Sequence, residues 1–345
     1  MKILITGIGG FAASHLVKIL LKHKIGYDNT VEIHGTKRVR SDMYRLEKLG
    51  IADKITYHLI ELTDPISVYN VIKEVMPDQI YHLAAQDYVW SSWNSPHETF
   101  DTNVGGTINL FQAIRQCYPR IGQEYQIGDG VKYPLAKAND VLMYPKVLVT
   151  STSETYGYHN EKINESTEQK PTNPYGISKL AQDQLARLYS KAYNIPVVIT
   201  RAFNITGWGR NDPFVDSNFA KQIAEIEKGV RQKVQHGNLE SRRSFFDVKD
   251  AVLGYYLAMQ SEHKNGDVFC FGPKKSTSIA ELLDTLVKLS SVNIKLEKDK
   301  SRSRPIDTPD MLCDAYKAEM DLGWEPEIPL EQSLKDLLYY WRDRI

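Results

Sequence analysis

Short apolar runs alternate with stretches of helical periodicity over the first two thirds of the chain. Several runs are almost uniformly apolar and rich in β-branched residues, which is typical of strands buried on both faces of a sheet. Helical stretches follow most of these runs, so the pattern predicts an α/β fold with an open, doubly wound parallel sheet. The predicted strands span residues 2–6, 31–36, 54–59, 79–84, 146–150 and 195–200. The predicted helices lie near residues 10–23, 65–76, 96–117 and 174–193.

The last third of the chain has a looser pattern. Gly, Asn and Pro interrupt shorter helices and one predicted strand at 267–272, and an amphipathic helix at 330–343 closes the chain. We therefore expect a larger α/β domain over residues 1–203 and, over 204–345, mainly a smaller C-terminal α+β lobe that returns some elements to the sheet. The polar stretch 119–145 is longer than most connections in compact domains, and we interpret it as a surface excursion.

The composition narrows the class of protein. The chain has 345 residues, 42% of them hydrophobic and 25% charged, with 43 basic and 43 acidic side chains. This balance is ordinary for a globular protein and favours neither nucleic acid nor a membrane as partner. No apolar stretch reaches the length of a membrane span, and the first strand begins at Lys2 with no signal peptide in front of it. The three cysteines and nine histidines lack metal-ligand spacing, so we expect a cytoplasmic protein without a metal site.

The segment TGIGGFAASHL at residues 6–16 connects the first predicted strand to the first helix. Gly7 and Gly10 would allow the backbone to turn tightly and to approach a diphosphate. The helix would then begin at Phe11 and Ala12, where free N–H groups bind phosphate oxygens. A tight turn without a ligand is the alternative, but the strand before it and the helix after it match a dinucleotide fingerprint. We therefore predict that the first domain is a Rossmann-type dinucleotide-binding domain.

The end of the second predicted strand indicates which dinucleotide binds. An acidic residue there would accept a hydrogen bond from a free ribose 2′-hydroxyl, whereas a basic residue would pair with a 2′-phosphate. The sequence has Lys37, Arg38 and Arg40 at this point and no acid before Asp42. We therefore predict NADP as the cofactor, with NAD as the alternative if these side chains form only a solvated basic loop.

Tyr175 and Lys179 lie four residues apart at the start of a predicted helix, so both project from one helix face. A nearby lysine cation, together with an oxidised nicotinamide, would lower the pKa of the tyrosine and let its phenolate take a proton from a sugar hydroxyl. The hydroxyl of Thr152, just past the fifth predicted strand, could share the same substrate oxygen. An ordinary pair on a surface helix is the alternative, but open α/β sheets bind ligands at the carboxyl ends of their strands.

These motifs together resemble the extended short-chain dehydrogenase/reductase family of nucleotide-sugar enzymes. The resemblance rests on TGxxGxxA after the first strand, DTNVGGT at 101–107, Thr152 with Tyr175 and Lys179, and SRRSFFDVKD at 241–250. It runs nearly end to end and implies a Rossmann-type sheet with a smaller substrate lobe. It is closest to two groups that act on GDP-sugars, the GDP-mannose 4,6-dehydratases and the GDP-4-keto-6-deoxymannose reductases. STSETYG at 151–157 resembles the dehydratases, whereas SSWNSP at 91–96 and GNLESRR at 237–243 resemble both.

The resemblance implies a reaction in which Tyr175 takes a proton from O4 while a hydride leaves C4 for the cofactor. The C5 proton of the resulting 4-keto sugar is acidic, and its removal with loss of the C6 hydroxyl as water needs an acid/base beside C5 and C6. Glu154 follows Thr152 by two residues and would fill this place, after which the hydride returns to C6. Ser153 occupies the position where some relatives have Asp, so Glu154 would serve both as the base and as the acid.

Other functions stay open on the sequence. A net 4-keto reductase or an epimerase has no use for Glu154, and a UDP-glucuronate decarboxylase would use it near C5. A dinucleotide sensor that has lost catalysis typically lacks the tyrosine–lysine pair, which this chain has. A glutamate that only caps a loop is the structural alternative.

The resemblance also implies which residues hold the ligands. Arg243 and Arg304 match positions that bind the diphosphate of the nucleotide sugar, and arginine forks suit phosphate groups. Arg243 could instead pair with Asp247 or Asp250. Asn204 matches a residue at the junction of sugar and phosphate. The remaining predicted contacts are Leu62, Leu83, Ala84 and Gln86 for the cofactor and Ser153 for the substrate.

The implied substrate is a GDP-hexose or a GDP-manno-heptose. We expect a homodimer or a homotetramer, because relatives pair through two long helices, here near 96–117 and 174–193. The aromatic residues Tyr88, Trp90 and Trp93 follow the fourth predicted strand, where they would either wall the sugar pocket or belong to the core.

Overall fold

The structure is a computed structural model, and it describes residues 1–23, 31–118, 144–262, 264–302, 306 and 308–345. The predicted excursion at 119–145 therefore lies almost entirely outside the described residues. The strands of the described residues are β1 (Lys2–Thr6), β2 (Glu32–Lys37), β3 (Ile55–Leu59), β4 (Gln79–His82), β5 (Lys146–Thr150), β6 (Val197–Ala202), β7 (Asn204–Thr206), β8 (Val234–His236), β9 (Arg242–Arg243), β10 (Phe245–Asp247), β11 (Asp267–Phe271), β12 (Thr277–Ser278) and β13 (Leu296–Lys298).

Seven of these strands form one parallel sheet in the order β11-β6-β5-β4-β1-β2-β3. The chain builds outward from β1 to β3, returns to the centre and builds outward in the other direction from β4. The strand order thus reverses between β1 and β4, and open α/β sheets bind ligands in the crevice that such a reversal creates at the carboxyl ends. The doubly wound parallel sheet expected from the sequence is confirmed.

Helices cover both faces of this sheet. Along β1, Ile3 and Ile5 pack on the side of the first helix, and Leu4 packs on the opposite side. This alternation follows from the two-residue period of a strand. The helices of the described residues are α1 (Phe11–His23), α2 (Tyr44–Lys48), α3 (Pro65–Val75), α4 (Val89–Asn94), α5 (Pro96–Phe100), α6 (Gly106–Cys117), α7 (Pro174–Tyr193), α8 (Val215–Glu227), α9 (Val248–Gln260), α10 (Ile279–Lys288), α11 (Tyr316–Leu322) and α12 (Leu330–Arg344).

A separate hydrophobic cluster holds the later part of the chain together. It joins α8, α10 and α12 through buried side chains such as Phe219, Leu282 and Leu337. Short strand pairs flank this cluster, β7 with β10, β9 with β12 and β8 with β13. Two elements from this part return to the large sheet, because β11 pairs with β6 and α9 packs against α1.

The predicted helix at 96–117 is interrupted. It consists of α5, a π-helical turn at Asp101–Gly105 and α6. Asn103 in this turn is fully buried, and its side chain bonds to the backbone of Gln86 and to Ser178. These tertiary bonds stabilise the wider turn. Single π turns of this kind often occur near functional sites.

The fourth predicted strand ends earlier than expected, at His82 rather than at residue 84. The backbone N–H groups of Leu83 and Ala84 both donate to the hydroxyl of Thr6, at 3.1 Å each. The chain therefore leaves the strand ladder at the carboxyl end of β1. No helix of the described residues is long and apolar enough to cross a membrane.

Candidate active site

A cavity of about 580 Å³ opens at the carboxyl ends of the parallel strands, where the strand order reverses. Nearly all of the predicted site residues in the described part of the chain line it. They are Gly7, Gly10, Phe11, Ala12, Lys37, Arg38, Arg40, Leu62, Leu83, Ala84, Gln86, Thr152, Ser153, Glu154, Tyr175, Lys179 and Asn204. No group of three or more His, Cys, Asp or Glu side chains among the described residues could hold a metal ion.

The glycine turn forms one end of the cavity. Gly7 has a φ of +72°, a conformation that only glycine adopts readily, and its N–H donates to the Thr36 hydroxyl at 3.2 Å. The N–H of Gly10 donates to the Gly7 carbonyl at 2.9 Å, and α1 begins at the next residue. The first N–H groups of a helix have no partner inside the helix, so this end of the cavity suits a phosphate group.

The loop after β2 makes the neighbouring rim basic. Arg38 and Arg40 are exposed and line the cavity, and the Lys37 ammonium lies 5.0 Å from the ring centre of Tyr57. The first acid, Asp42, accepts a hydrogen bond from Arg344 at 2.8 Å. That bond is the main reason why the pKa of Asp42 is lowered. The cations of this rim therefore face the cavity while the nearby carboxylate is paired with α12.

Tyr175 is buried, and the Thr152 side chain acts to lower the pKa of its phenol. Burial raises the pKa of Tyr175, and the negative charges of Asp87 and Glu154 raise it further. The lowering expected from Lys179 together with an oxidised nicotinamide would act against this effect of burial. Burial is the dominant cause, because removing a phenolate from water costs more than the surrounding dipoles and cations return.

Lys179 lies one helical turn after Tyr175 and is also buried. Its ammonium donates to the backbone carbonyl of Thr150 and to the side-chain oxygen of Gln182. Burial lowers the pKa of Lys179 to about 7, and the charges of Asp87 and Asp183 act in the opposite direction.

Glu154 stands in a short 3₁₀ turn, Ser153–Thr155, directly after β5. One of its carboxylate oxygens accepts a hydrogen bond from the Asn173 amide at 2.8 Å, and its backbone N–H donates to the Thr152 hydroxyl at 3.3 Å. Asn173 also caps α7 by accepting from the Gly176 N–H at 2.8 Å. One side chain therefore aligns the acid with the helix that carries Tyr175. Sequence reasoning missed this role, although an Asn before a Pro is a recognisable helix start.

Gln86 and Asn103 hold the end of β4 against α7. The Gln86 amide bonds to the backbone of Tyr88 and to Thr99, so this side chain stabilises its own turn. Asn103 donates to Ser178 at 2.9 Å. The carboxyl end of β4 and the helix of Tyr175 are thus held in a fixed relation.

The predicted substrate residues are distributed differently. Asn204 lines the cavity, and its buried side-chain oxygen makes no hydrogen bond within the described residues, which fits a ligand contact. Arg243 is buried and does not line the cavity in the described part of the chain. Its guanidinium donates to the backbone oxygens of Arg242 and Thr308, at 2.8 and 2.7 Å. Arg304 lies outside the described residues.

The aromatic residues Tyr88, Trp90 and Trp93 after β4 neither line the cavity nor belong to the buried core. Trp90 and Trp93 are 39% and 38% exposed, so they are not core residues, and neither lines the cavity. Tyr88 contacts the edge of Phe214 at 5.7 Å between ring centres, and Phe214 lines the cavity in its place. Arg45, Asp87 and Arg210 also line the cavity, and sequence reasoning assigned none of them.

Comparison with known proteins agrees with this geometry. A sequence model of the family described as GDP-mannose 4,6 dehydratase matches residues 4–337. The chain belongs to the GDP-mannose 4,6-dehydratase family. A GDP-6-deoxy-D-mannose reductase of Pseudomonas aeruginosa is 29% identical over 84% of this chain and 88% of the relative. A GDP-mannose 4,6-dehydratase of Vibrio cholerae is 28% identical over 97% of this chain and 92% of the relative.

Solved structures share the fold of this chain. The RMD protein of Pseudomonas aeruginosa in complex with NADPH superposes with a TM-score of 0.77 and is 25% identical, covering 100% of this chain and 99% of that one. UDP-glucuronic acid 4-epimerase of Bacillus cereus, in complex with UDP-glucuronic acid and NAD, has a TM-score of 0.81 at 23% identity, covering 100% of both chains. The second likeness shows the shared fold alone.

Proposed function

We propose that the protein is a GDP-sugar 4,6-dehydratase that converts GDP-mannose or a GDP-manno-heptose to the GDP-4-keto-6-deoxy sugar. The observation that supports it most is the Glu154 carboxylate, which Asn173 orients and which lines the same cavity as Tyr175. Oxidation at C4 alone needs only the Thr152, Tyr175 and Lys179 set, so a second acid/base suits a reaction that also eliminates water.

In this proposal Thr152 and Tyr175 hold the oxygen on C4, and Tyr175 takes its proton. A bound nicotinamide dinucleotide supplies the hydride acceptor at C4 and the hydride donor at C6, and its positive charge opposes the effect of burial on the pKa of Tyr175. Lys179 donates to the Thr150 carbonyl and stands one helical turn from the phenol, where its charge favours the phenolate.

Glu154 then takes the proton from C5, and the electrons of that C–H bond form the C5–C6 double bond as the C6 oxygen leaves. The same carboxylic acid returns its proton to the leaving hydroxyl, so that water departs and Glu154 is again ionised. Tyr175 returns to C5 the proton that it took from O4, which balances the gain of hydride at C6. The cycle consumes no external reductant.

The cofactor proposed is NADP. The glycine turn and the start of α1 suit the diphosphate, and the exposed Arg38 and Arg40 suit a ribose 2′-phosphate. Titration of the purified protein should therefore show NADPH binding more tightly than NADH, by about tenfold or more. Equal affinity for the two cofactors would favour NAD.

The nucleotide sugar is proposed to bind mainly through residues 204–345. Asn204 offers an unpartnered side-chain oxygen at the cavity wall, and Ser153 adjoins Glu154. Arg243, which lies in β9, and Arg304 are proposed for the diphosphate because they match positions that bind it in relatives.

A 4-keto-6-deoxy-sugar reductase is the second candidate. The 29% identity to the Pseudomonas aeruginosa reductase is as high as the identity to the dehydratases, so overall similarity does not separate the two activities. The two differ in whether Glu154 is used and in whether the cofactor must leave after each turnover.

Mass spectrometry of a reaction in deuterated water tests the proposal. The protein is incubated with GDP-mannose and, separately, with GDP-manno-heptose, without added reductant. We expect a product that has lost one water and gained one deuterium at C5. If neither sugar reacts but added NADPH reduces a GDP-4-keto-6-deoxy sugar, the protein is a reductase.

We also propose that the protein is a homodimer or a larger oligomer that pairs through α7. Ile177, Ala181, Gln184 and Leu188 share one face of this helix at spacings of three and four residues. Ile177 is 45% and Leu188 58% exposed, which is unusual for large apolar side chains on a long helix.

A further inference from the structure

Arg210 is a cation at the cavity wall that the proposed mechanism does not use. It lies in the loop 207–214 between β7 and α8, and its guanidinium stacks on Phe214, 3.5 Å from the ring centre. The ring centre of Phe11, the first residue of α1, lies 5.2 Å from the same guanidinium. The guanidinium thus contacts one ring next to the glycine turn and one from the later part of the chain.

This guanidinium has no anion within the described residues. It makes no hydrogen bond or ion pair there, and its Nε atom is buried without a partner. A buried polar atom without a partner costs free energy, which a ligand that accepts from it would recover. Because a planar guanidinium matches the geometry of phosphate oxygens, an anion of this class is the expected ligand.

The backbone on either side of Arg210 is fixed. Its N–H donates to the Gly207 carbonyl at 3.2 Å, and its carbonyl accepts from the Ser217 hydroxyl at 2.7 Å. The loop therefore fixes the backbone from which the Arg210 side chain reaches the cavity wall.

Arg45 connects this loop to the glycine turn through hydrogen bonds. It is 4% exposed and donates to the Gly9 carbonyl at 3.0 Å, to the Gly209 carbonyl at 2.6 Å and to the side chain of Asn211. Arg45 therefore joins the glycine turn directly to the loop of Arg210, although about 200 residues separate them in the sequence.

We propose that Arg210 binds the diphosphate of the dinucleotide cofactor, opposite the N–H groups at the start of α1, and that Arg45 positions it. The cofactor's diphosphate is favoured over that of the nucleotide sugar because Phe11 and Gly9, which these two arginines contact, lie next to and in the glycine turn. The inference rests on the dinucleotide binding proposed above. It gives the two parts of the chain a joint role in retaining a cofactor that each catalytic cycle regenerates.

Ligand titrations of Arg210→Gln test this assignment. The probes are NADPH, adenosine 2′,5′-bisphosphate, which lacks the diphosphate bridge, GDP and inorganic pyrophosphate. We expect the Kd for NADPH to rise by about tenfold or more, with adenosine 2′,5′-bisphosphate and GDP changed less than about twofold. Arg231→Gln removes a guanidinium that pairs with Glu225 outside the cavity and should leave all four values unchanged.

Arg210→Lys keeps the charge but loses the planar stack, so its Kd for NADPH should lie between those of wild type and Arg210→Gln. If Arg210→Gln does not fold, Arg210→Lys is the variant that tests the proposal. An unchanged Kd for NADPH in a folded variant would overturn the proposal, and weaker binding of GDP alone would assign Arg210 to the nucleotide sugar instead. If the wild-type protein bound no dinucleotide, the proposed function would fail, whereas pyrophosphate binding that depends on Arg210 would still establish the anion site.

Discussion

Asn173 serves two purposes at the start of α7. Its side-chain oxygen caps the helix, and its amide donates to Glu154 at 2.8 Å. The helix that presents Tyr175 and Lys179 therefore also sets the direction of the carboxylate. This arrangement fixes the Glu154 carboxylate relative to the helix that carries the Tyr175 phenol.

Replacing Glu154 with Gln should separate the two halves of the proposed reaction. Oxidation at C4 would proceed, but elimination of water would stop because no base removes the C5 proton. We expect kcat to fall by about 10²- to 10⁴-fold. The absorbance of reduced nicotinamide should accumulate on the protein when GDP-mannose is added, because the hydride has no C6 acceptor.

Glu161→Gln is the matched control for this substitution. It removes an exposed carboxylate seven residues further along the chain that does not line the cavity. Normal turnover in Glu154→Gln would make this carboxylate a bystander and would support the reductase alternative.

Lys179 connects the active site to stability. Burial lowers its pKa from 10.5 to about 7, so between these values the unfolded chain binds a proton that the folded chain does not. The free energy of unfolding should then rise with pH, by about 1.4 kcal/mol per unit from this group. Lys179→Met keeps the apolar stem and removes the titration. The stability of wild type relative to this variant should increase from pH 7 to about pH 9 in urea denaturation, and parallel curves would contradict the lowered pKa.

Site residues that sit in local motifs could be predicted from the sequence. Thr152, Tyr175 and Lys179 follow a strand or open a helix, and the sheet topology brings such positions together at one edge. Arg210 could not be predicted in this way. Its surroundings come from Phe11, which lies in a different part of the chain, and no local pattern reports that contact.

At the scale of elements, the glycine turn and the loop after β2 act as one unit. Gly9 is packed so closely that an added Cβ would lie 2.6 Å from the Asp42 carbonyl, inside van der Waals contact. Arg45 lies in α2, directly after this loop, and donates to the Gly9 carbonyl. The basic rim is therefore positioned by the turn that suits the diphosphate.

Gly9→Ala should push the loop after β2 away from the glycine turn. We expect cofactor affinity to fall by about tenfold, which corresponds to about 1.4 kcal/mol of binding free energy. Gly105→Ala provides the control, because its Cβ would meet nothing within 4 Å and its φ of −58° suits alanine. NADPH titration and thermal unfolding of both variants measure the difference. Equal affinities would show that the loop adapts without loss.

The regular elements were predictable and the exceptions have tertiary causes. The seven sheet strands match the predicted runs with ends that differ by at most two residues. The central strands are buried on both faces and therefore need apolar runs. The π turn at Asp101–Gly105 was not predicted, because it depends on bonds from Asn103 to Gln86 and Ser178. The two- and three-residue strands of the later part are too short to show any period.

On the scale of the whole molecule, the chain crosses between its two parts several times. β11 joins the edge of the large sheet beside β6, and Trp324 packs in the same core as Phe271 and donates to the Asp250 carbonyl at 2.8 Å. The two parts therefore share this core, in addition to the separate cluster of α8, α10 and α12, and the cavity has walls from both parts. Sequence periodicity indicates such strands but not which edge of the sheet they join.

The exposed face of α7 carries the last prediction. Leu188 is 58% exposed on the face that it shares with Ile177, and a second copy of the same helix would cover both side chains. Light scattering after size exclusion should give wild type the mass of a dimer or a multiple of it. Leu188→Glu places one carboxylate from each subunit in that contact. The variant should therefore be monomeric, because a buried unpaired carboxylate is strongly disfavoured. Leu296→Glu, at a leucine that is 46% exposed in β13, should leave the mass unchanged. If Leu188→Glu kept the wild-type mass, the subunits would pair through another surface, and α7 would be an ordinary exposed helix.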